Sequence, residues 1–141
     1  MDLQIKLKKL NTKAVVPSYA HDGDAGMDLV ATSKWFEGNK VCYGTGVAME
    51  IPYGYVGLVF PRSSIAKKDL LLSNAVGVID SIYRGEIMAK FEMTDTHENI
   101  YEVGERIAQI IIMPYPQVKF EEVDELSDSV RKEGGFGSTG K

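Results

Sequence analysis

The amino-acid sequence predicts an all-β subunit with one short helix. Three observations carry that prediction. Apolar residues recur with a period of two, Gly and Pro interrupt the chain at short intervals, and convincing helical character occurs once. Leu3, Ile5 and Leu7 alternate with Gln4, Lys6 and Lys8, which predicts a half-buried strand. Further strands are predicted over residues 27–32, 41–51, 55–60, 86–92, 106–113 and 118–123. The run "QIIIM" is apolar and β-branched, which suits a strand buried on both faces. Turn signals separate these runs at Pro17, Gly23, Gly38, Gly44, Pro52, Gly54, Pro61, Gly77, Gly85, Gly104 and Pro114. A sandwich, a jelly roll and a barrel all satisfy this pattern. The helix is predicted after Pro61, capped by Ser63 or Ser64 and running to about Leu70.

A length of 141 residues fits one domain with a sizeable core. The longest apolar run, Ile110 to Met113, is far too short to cross a bilayer, so no membrane partner is expected. The opening "MDLQIKLKKL" lacks a signal-peptide core, and Cys42 is a single cysteine. Both fit a reducing, cytoplasmic setting. A net charge of −4 argues against nucleic-acid binding, which needs a basic face. The acidic stretch from Glu121 to Glu133 and the lysines near the N-terminus read as solvated faces.

The segment "HDGDAGMDL" concentrates Asp22, Asp24 and Asp28. A calcium loop fails, because Gly26 stands where the fifth-position ligand belongs and no Glu closes the loop. A polar loop remains, with Ala25 and Gly26 in a tight turn. Asp28 sits inside a strand and wants a partner, a hydrated cation being one candidate. "PRSSIAKKDLLLSN" places Arg62, Ser63 and Ser64 together, which suits an anion site or a simple N-cap beside a surface Arg. "NAVGVIDSIYRGE" reads as strand, turn, strand. Its Asp80 is either a turn residue or, partly desolvated by Ile79 and Ile82, a base toward water. In "ERIAQII", Arg106 and Gln109 read as edge polarity. His21 and His97 show no metal-ligand spacing, and Trp35 and Phe36 suit a core or an interface. The tail "RKEGGFGSTGK" imitates a Walker A start, but the sequence stops at the Lys, where a Ser or Thr and a helix belong. Its glycines, hydroxyls and Arg131 still suit phosphate.

Taken in order, "AGMDLVA", "PRSSIAKKDLLLSN", "GVIDSIYRGE", "RIAQIII" and "RKEGGFGSTG" resemble the motifs of the homotrimeric dUTP diphosphatase (dUTPase) family. The resemblance implies a distorted jelly-roll subunit over residues 1–130. It implies a glycine-rich flap over residues 131–141 that completes a neighbour's active site in a homotrimer. Asp80 would activate a water for in-line attack on the α-phosphorus of dUTP, releasing dUMP and pyrophosphate. Asn74 and the backbone of Gly77, Val78 and Ile79 would read the uracil edge, with Met88 lining the pocket. Tyr83 would lie against the deoxyribose and exclude a 2′-hydroxyl. Arg62, Ser63, Ser64 and Gln109 would cradle the triphosphate, and Asp28 would hold Mg²⁺ through water. Phe136 would stack on the uracil, while Arg131, Gly137, Ser138 and Thr139 would hold the γ-phosphate. Such an enzyme limits uracil in DNA and supplies dUMP for dTMP synthesis, in a bacterium or in a phage-infected host cell.

Two positions depart from the family pattern: Ser64, where Gly is common, and Ile82, where Asp or Gly is common. A dCTP deaminase of the same fold is the first alternative. It needs a Glu and an Arg where this chain has Lys90 and Lys67, and lysine cannot replace the carboxylate base. A dUTP-gated regulator that binds a repressor protein is the second. Phage dUTPases with that role often carry an insertion before the last motif, and the interval from Pro114 to Arg131 is too short for one.

Overall fold

The computed structural model describes residues 2–95 and 98–140. His97 therefore lies outside the described residues, as does the last lysine of the tail. The strands are β1 (Lys6–Lys9), β2 (Met27–Val30), β3 (Ser33–Glu37), β4 (Lys40–Gly44), β5 (Val47–Glu50) and β6 (Tyr55–Phe60). A single turn of 3-10 helix, Ser63–Lys67, leads to β7 (Leu70–Leu72), β8 (Gly77–Ile79), β9 (Met88–Met93) and β10 (Arg106–Pro114).

Every named pairing is antiparallel. One sheet runs β2-β10-β6-β8, a second β3-β4-β9-β7, and a small ribbon joins β1 to β5. Inward residues of both four-stranded sheets meet in one apolar cluster, including Leu29, Val59, Ile107 and Ile110 from one and Val41, Tyr43, Ala89 and Phe91 from the other. This is the jelly-roll arrangement. The alternation in β9 is clean, with Ala89, Phe91 and Met93 buried and Met88, Lys90 and Glu92 outward.

The core is organised around three aromatic rings. Tyr43 meets Phe91 edge-on at 5.7 Å between centroids and Tyr101 at 6.3 Å. The buried Tyr43 hydroxyl donates to the Tyr101 carbonyl at 2.7 Å, so the polar tip of the ring is satisfied. Burial is the chief reason that its phenol is pushed above the ordinary range. Cys42 is fully buried, and burial likewise raises its thiol, which makes it an inert core residue.

Four expectations change. The predicted strand over residues 41–51 is two strands, because Gly46 at φ 71° breaks the extended path. The buried Thr45 hydroxyl at that break donates to the Ile87 carbonyl at 2.6 Å. Residues 33–37, not anticipated as a strand, form β3 on the edge of its sheet, and Phe36 there is exposed rather than core. Residues 118–123 form no strand; they run exposed, with Phe120 91% accessible, because no free edge of the same chain receives them. The "QIIIM" strand is buried on one face only. Ile110 is inaccessible, whereas Met113 on the opposite face is exposed.

Phe91 contacts both other rings of the core and is inaccessible to solvent. Phe91→Ala should therefore destabilise the fold by about 3–5 kcal/mol in chemical denaturation, with an unchanged m-value.

Candidate functional site

Two separate depressions collect many of the residues singled out in the sequence, and Ser64, Lys67 and Arg106 line a third beside Arg62. The first is a cavity of about 410 Å³ lined by Ser73, Asn74, Val78, Ile79, Asp80, Tyr83, Glu86, Met88 and Lys90. It lies where the chain passes from one sheet to the other. β8 pairs with β6, whereas β9 pairs with β4 and β7. The segment is thus not a paired hairpin, as the strand-turn-strand pattern implied. Its two arms diverge into different sheets, and the gap between them is the cavity.

Local geometry explains the shape of this segment. Ala75 takes a left-handed φ of 61°, stabilised by its N–H donating to the Leu72 carbonyl at 3.0 Å. Gly77 faces Val59 so closely that a Cβ would approach it to 3.1 Å. After β8 the chain turns, with the Tyr83 N–H donating to the Asp80 carbonyl at 3.0 Å. Arg84 holds the same turn from the side by donating to the Ser81 carbonyl at 2.6 Å, and it pairs with Glu50 at 3.6 Å. Asp80 itself is exposed, and Ile82 is 84% accessible. The two isoleucines therefore do not desolvate the carboxylate in the single chain. Whatever dries it must come from outside this segment.

The Tyr83 ring is fixed at two points. Its hydroxyl donates to the Glu86 carbonyl at 2.8 Å, and its hydroxyl end lies against Gly85, where an added Cβ would fall 2.7 Å from Cζ. At the floor, the Lys90 ammonium reaches both oxygens of Glu37 at 3.1 and 3.2 Å. The Trp35 indole N–H, then Lys90, hold the Glu37 carboxyl below its ordinary range, and Glu37 raises Lys90. A paired ammonium stands where deaminase chemistry would need a carboxylate base.

The second depression, about 300 Å³, is lined by Asp24, Ala25, Gly26, Asp28, Arg62, Ser63, Gln109 and Ile111 among others. Here Asp28 has a protein partner. Its Oδ1 accepts from Arg62 Nε at 2.9 Å, and its Oδ2 lies 3.5 Å from Arg106 Nη1. Arg106 is thus a charge partner rather than edge polarity. Arg62 Nη1 donates to Ser64 Oγ and to the Arg106 carbonyl, both at 3.3 Å. Ser64 does not cap the helix, and neither does Ser63; no side chain caps it, and Arg62 is the N-cap residue. The Ser64 hydroxyl instead bonds Tyr101 at 2.8 Å, which leaves Ser63 as the exposed hydroxyl. Gln109 Nε2 donates to the Pro61 carbonyl at 3.0 Å. Gly26 is required for a reason other than the turn: a Cβ there would fall 2.3 Å from Gln109 Oε1. Asp24 closes its own loop by accepting from the His21 N–H at 2.9 Å.

The two depressions share no lining residue. The tail reaches neither. Every hydrogen bond described for residues 131–140 stays within residues 129–140, including Arg131 to the Gly134 and Gly135 carbonyls. Phe136 is fully exposed, and Gly137, Ser138 and Thr139 are exposed beside it. Among the described residues no three His, Cys, Asp or Glu side chains gather as a metal cluster. Sequence reasoning missed Arg84, Glu86 and Tyr101 as organising residues. The signal available for the first two was Gly85, which stands between Arg84 and Glu86 and whose missing side chain makes room for Tyr83; no sequence signal marked Tyr101.

Comparison with known proteins gives one consistent result. The family model described as dUTPase matches residues 12–140. A deoxyuridine 5'-triphosphate nucleotidohydrolase from Corynebacterium glutamicum is 45% identical, over 97% of this chain and 95% of that protein. One of the same name from Crocosphaera subtropica is 40% identical over 98% and 99%. Among solved structures, the dUTPase of Staphylococcus bacteriophage 80alpha with dUPNHPP superposes with a TM-score of 0.83 at 30% identity, covering 98% of this chain and 99% of that one. A mutant dUTPase from phage phi11 of S. aureus, whose structure details the coordination of a structural Mg(II) ion, superposes at 0.73 with 25% identity, covering 87% and 98%. With its jelly roll and all five motifs inside the matched span, the chain belongs to the dUTPase family.

Proposed function

We propose that this dUTPase-family chain hydrolyses dUTP to dUMP and pyrophosphate at sites shared between copies of itself. One observation carries the reading: Asn74, Asp80 and Tyr83 line one cavity, with the Asp80 carboxylate exposed at it. Asn74 and the β8 backbone supply donors and acceptors for a uracil edge. Unpaired buried groups would penalise cytosine, and tight packing would penalise the thymine methyl. The Tyr83 ring lies against the sugar and leaves no room for a 2′-hydroxyl. Met88 lines the same pocket. Asp80 accepts a proton from a water aimed at the α-phosphorus. The new bond is water oxygen to α-phosphorus; the bond that breaks joins the α-phosphorus to the bridging oxygen, and pyrophosphate departs with that oxygen.

Arg62, Ser63 and Gln109 supply donors to the triphosphate, with Ser64 steadying Arg62. Arg62 keeps Nη2 clear of internal partners among the described residues. The donor set suits Mg²⁺ held mainly by substrate phosphates and water. Both Asp28 oxygens face guanidinium groups, so this carboxylate fits an outer role through water better than direct ligation. When bound, Mg²⁺ offsets phosphate charge.

The separation of the two depressions and a tail that touches neither support shared sites. A homotrimer brings one copy's Asp80 cavity to another's Arg62 cluster. The tail of a third closes over both, with Phe136 on the base and Arg131, Gly137, Ser138 and Thr139 at the γ-phosphate. That closure supplies the desolvation that Asp80 lacks in the single chain.

Pyrophosphate release should favour dUTP over dTTP, dCTP and UTP by orders of magnitude and should fall on Mg²⁺ removal. Comparable turnover of UTP would sink the role given to Tyr83. Asp80→Asn should lower kcat at least about 100-fold with KM nearly unchanged, the range expected for loss of a general base. Gly26→Ala should push Gln109 off its seat and lower kcat/KM for dUTP about 3- to 10-fold, the worth of one hydrogen bond. Thermal unfolding of that variant should stay within a few degrees of the parent.

A further inference from the structure

We infer that Glu86 is the residue that positions Tyr83 and thereby sets discrimination between deoxyribose and ribose substrates. This rests on the sugar-facing role proposed for Tyr83. Glu86 is anchored across the fold, not within its own segment. Its Oε2 accepts from the Gly46 backbone N–H at 2.8 Å, forty residues away in sequence. The carboxylate lies so close to Gly44 that a Cβ there would fall 2.4 Å from Oε2. Gly46 stands at the φ 71° break between β4 and β5, which turns its N–H out of strand pairing and toward this carboxylate.

The neighbouring backbone completes the anchor. The Ile87 N–H donates to the Val47 carbonyl at 2.9 Å, and the Ile87 carbonyl accepts from the Thr45 N–H at 3.2 Å and hydroxyl at 2.6 Å. Residues 86 and 87 are thereby locked to residues 45–47. The free product of that lock is the Glu86 carbonyl, which accepts the Tyr83 hydroxyl at 2.8 Å. The missing side chain of Gly85 makes room for the hydroxyl end of the ring. Tyr83 is 38% accessible, and among the described residues the Glu86 carbonyl is the hydrogen-bond partner given for its hydroxyl. A ring held at both ends acts as a wall, while a ring held only at its Cα can swing and admit a larger sugar.

The test measures kcat/KM for dUTP and for UTP in E86A, E86Q, Y83F and Y83A, with thermal unfolding of each. E86Q keeps an acceptor for Gly46 and should preserve the dUTP preference within about threefold. E86A should reduce that preference about tenfold, mainly through tighter use of UTP, with kcat on dUTP changed less than about threefold. Y83F, which keeps the ring but loses its tether, should move the preference the same way, and E86A with Y83F should be no worse than either alone. If E86A does not fold, the Y83F result alone decides, and an unchanged preference in Y83F overturns the inference. An unchanged preference in folded E86A overturns it too, provided Y83A has lost the preference. Retention of the preference in Y83A would instead remove the sugar-facing role of Tyr83 itself.

Discussion

The site depends on one ion pair. Asp28 and Arg62 meet at 2.9 Å with side chains only 17% and 25% accessible. Asp28 stands in β2 and Arg62 at the end of β6, and β10 lies between those strands. The pair therefore fastens the two flanking strands across the central one, directly over Gln109. Removing either partner leaves a largely desolvated charge, at a cost of up to about 3–5 kcal/mol for a buried pair and less where water reaches it. Asp28 takes Nε of the guanidinium while Ser64 and the Arg106 carbonyl take Nη1, so the positive group is held in a fixed orientation.

A second constraint is steric. The positions that shape the site are those where a side chain is missing. Gly26 admits Gln109, Gly44 admits Glu86 and Gly85 admits the Tyr83 ring. None of these three needs a left-handed backbone; each is glycine because another residue occupies the volume of its side chain. The shape of both depressions is thus tied to the register of strands far apart in sequence.

The chain also leaves apolar surface uncovered. Val118, Phe120, Leu126 and Val130 are exposed, as is Phe136. Stretches of this kind are unstable as surface in water and gain by covering a neighbour. Their exposure, the separate cavities and the open face of β10 at Met113 all accord with a subunit completed by its copies.

Much of the fold was legible in the residues alone. Alternation at Leu3, Ile5 and Leu7 located β1, and apolar, β-branched runs between turn signals located β2, β6, β9 and β10. The ordered motifs marked the family, because all five fall inside the span that its model matches. Sequence could not reveal β3, whose edge position leaves Trp35 and Phe36 without a regular inward face. Nor could it separate β4 from β5, since a left-handed φ at one glycine leaves no trace in hydropathy. Chain chemistry by itself determined the all-β class and the family to which the chain belongs. Tertiary structure alone decided their partners: Asp28 with two arginines, Ser64 with Tyr101, Glu86 with Gly46. The reason is physical. Residue type sets what a side chain can donate or accept, but only the meeting of distant strands sets which donor reaches it first.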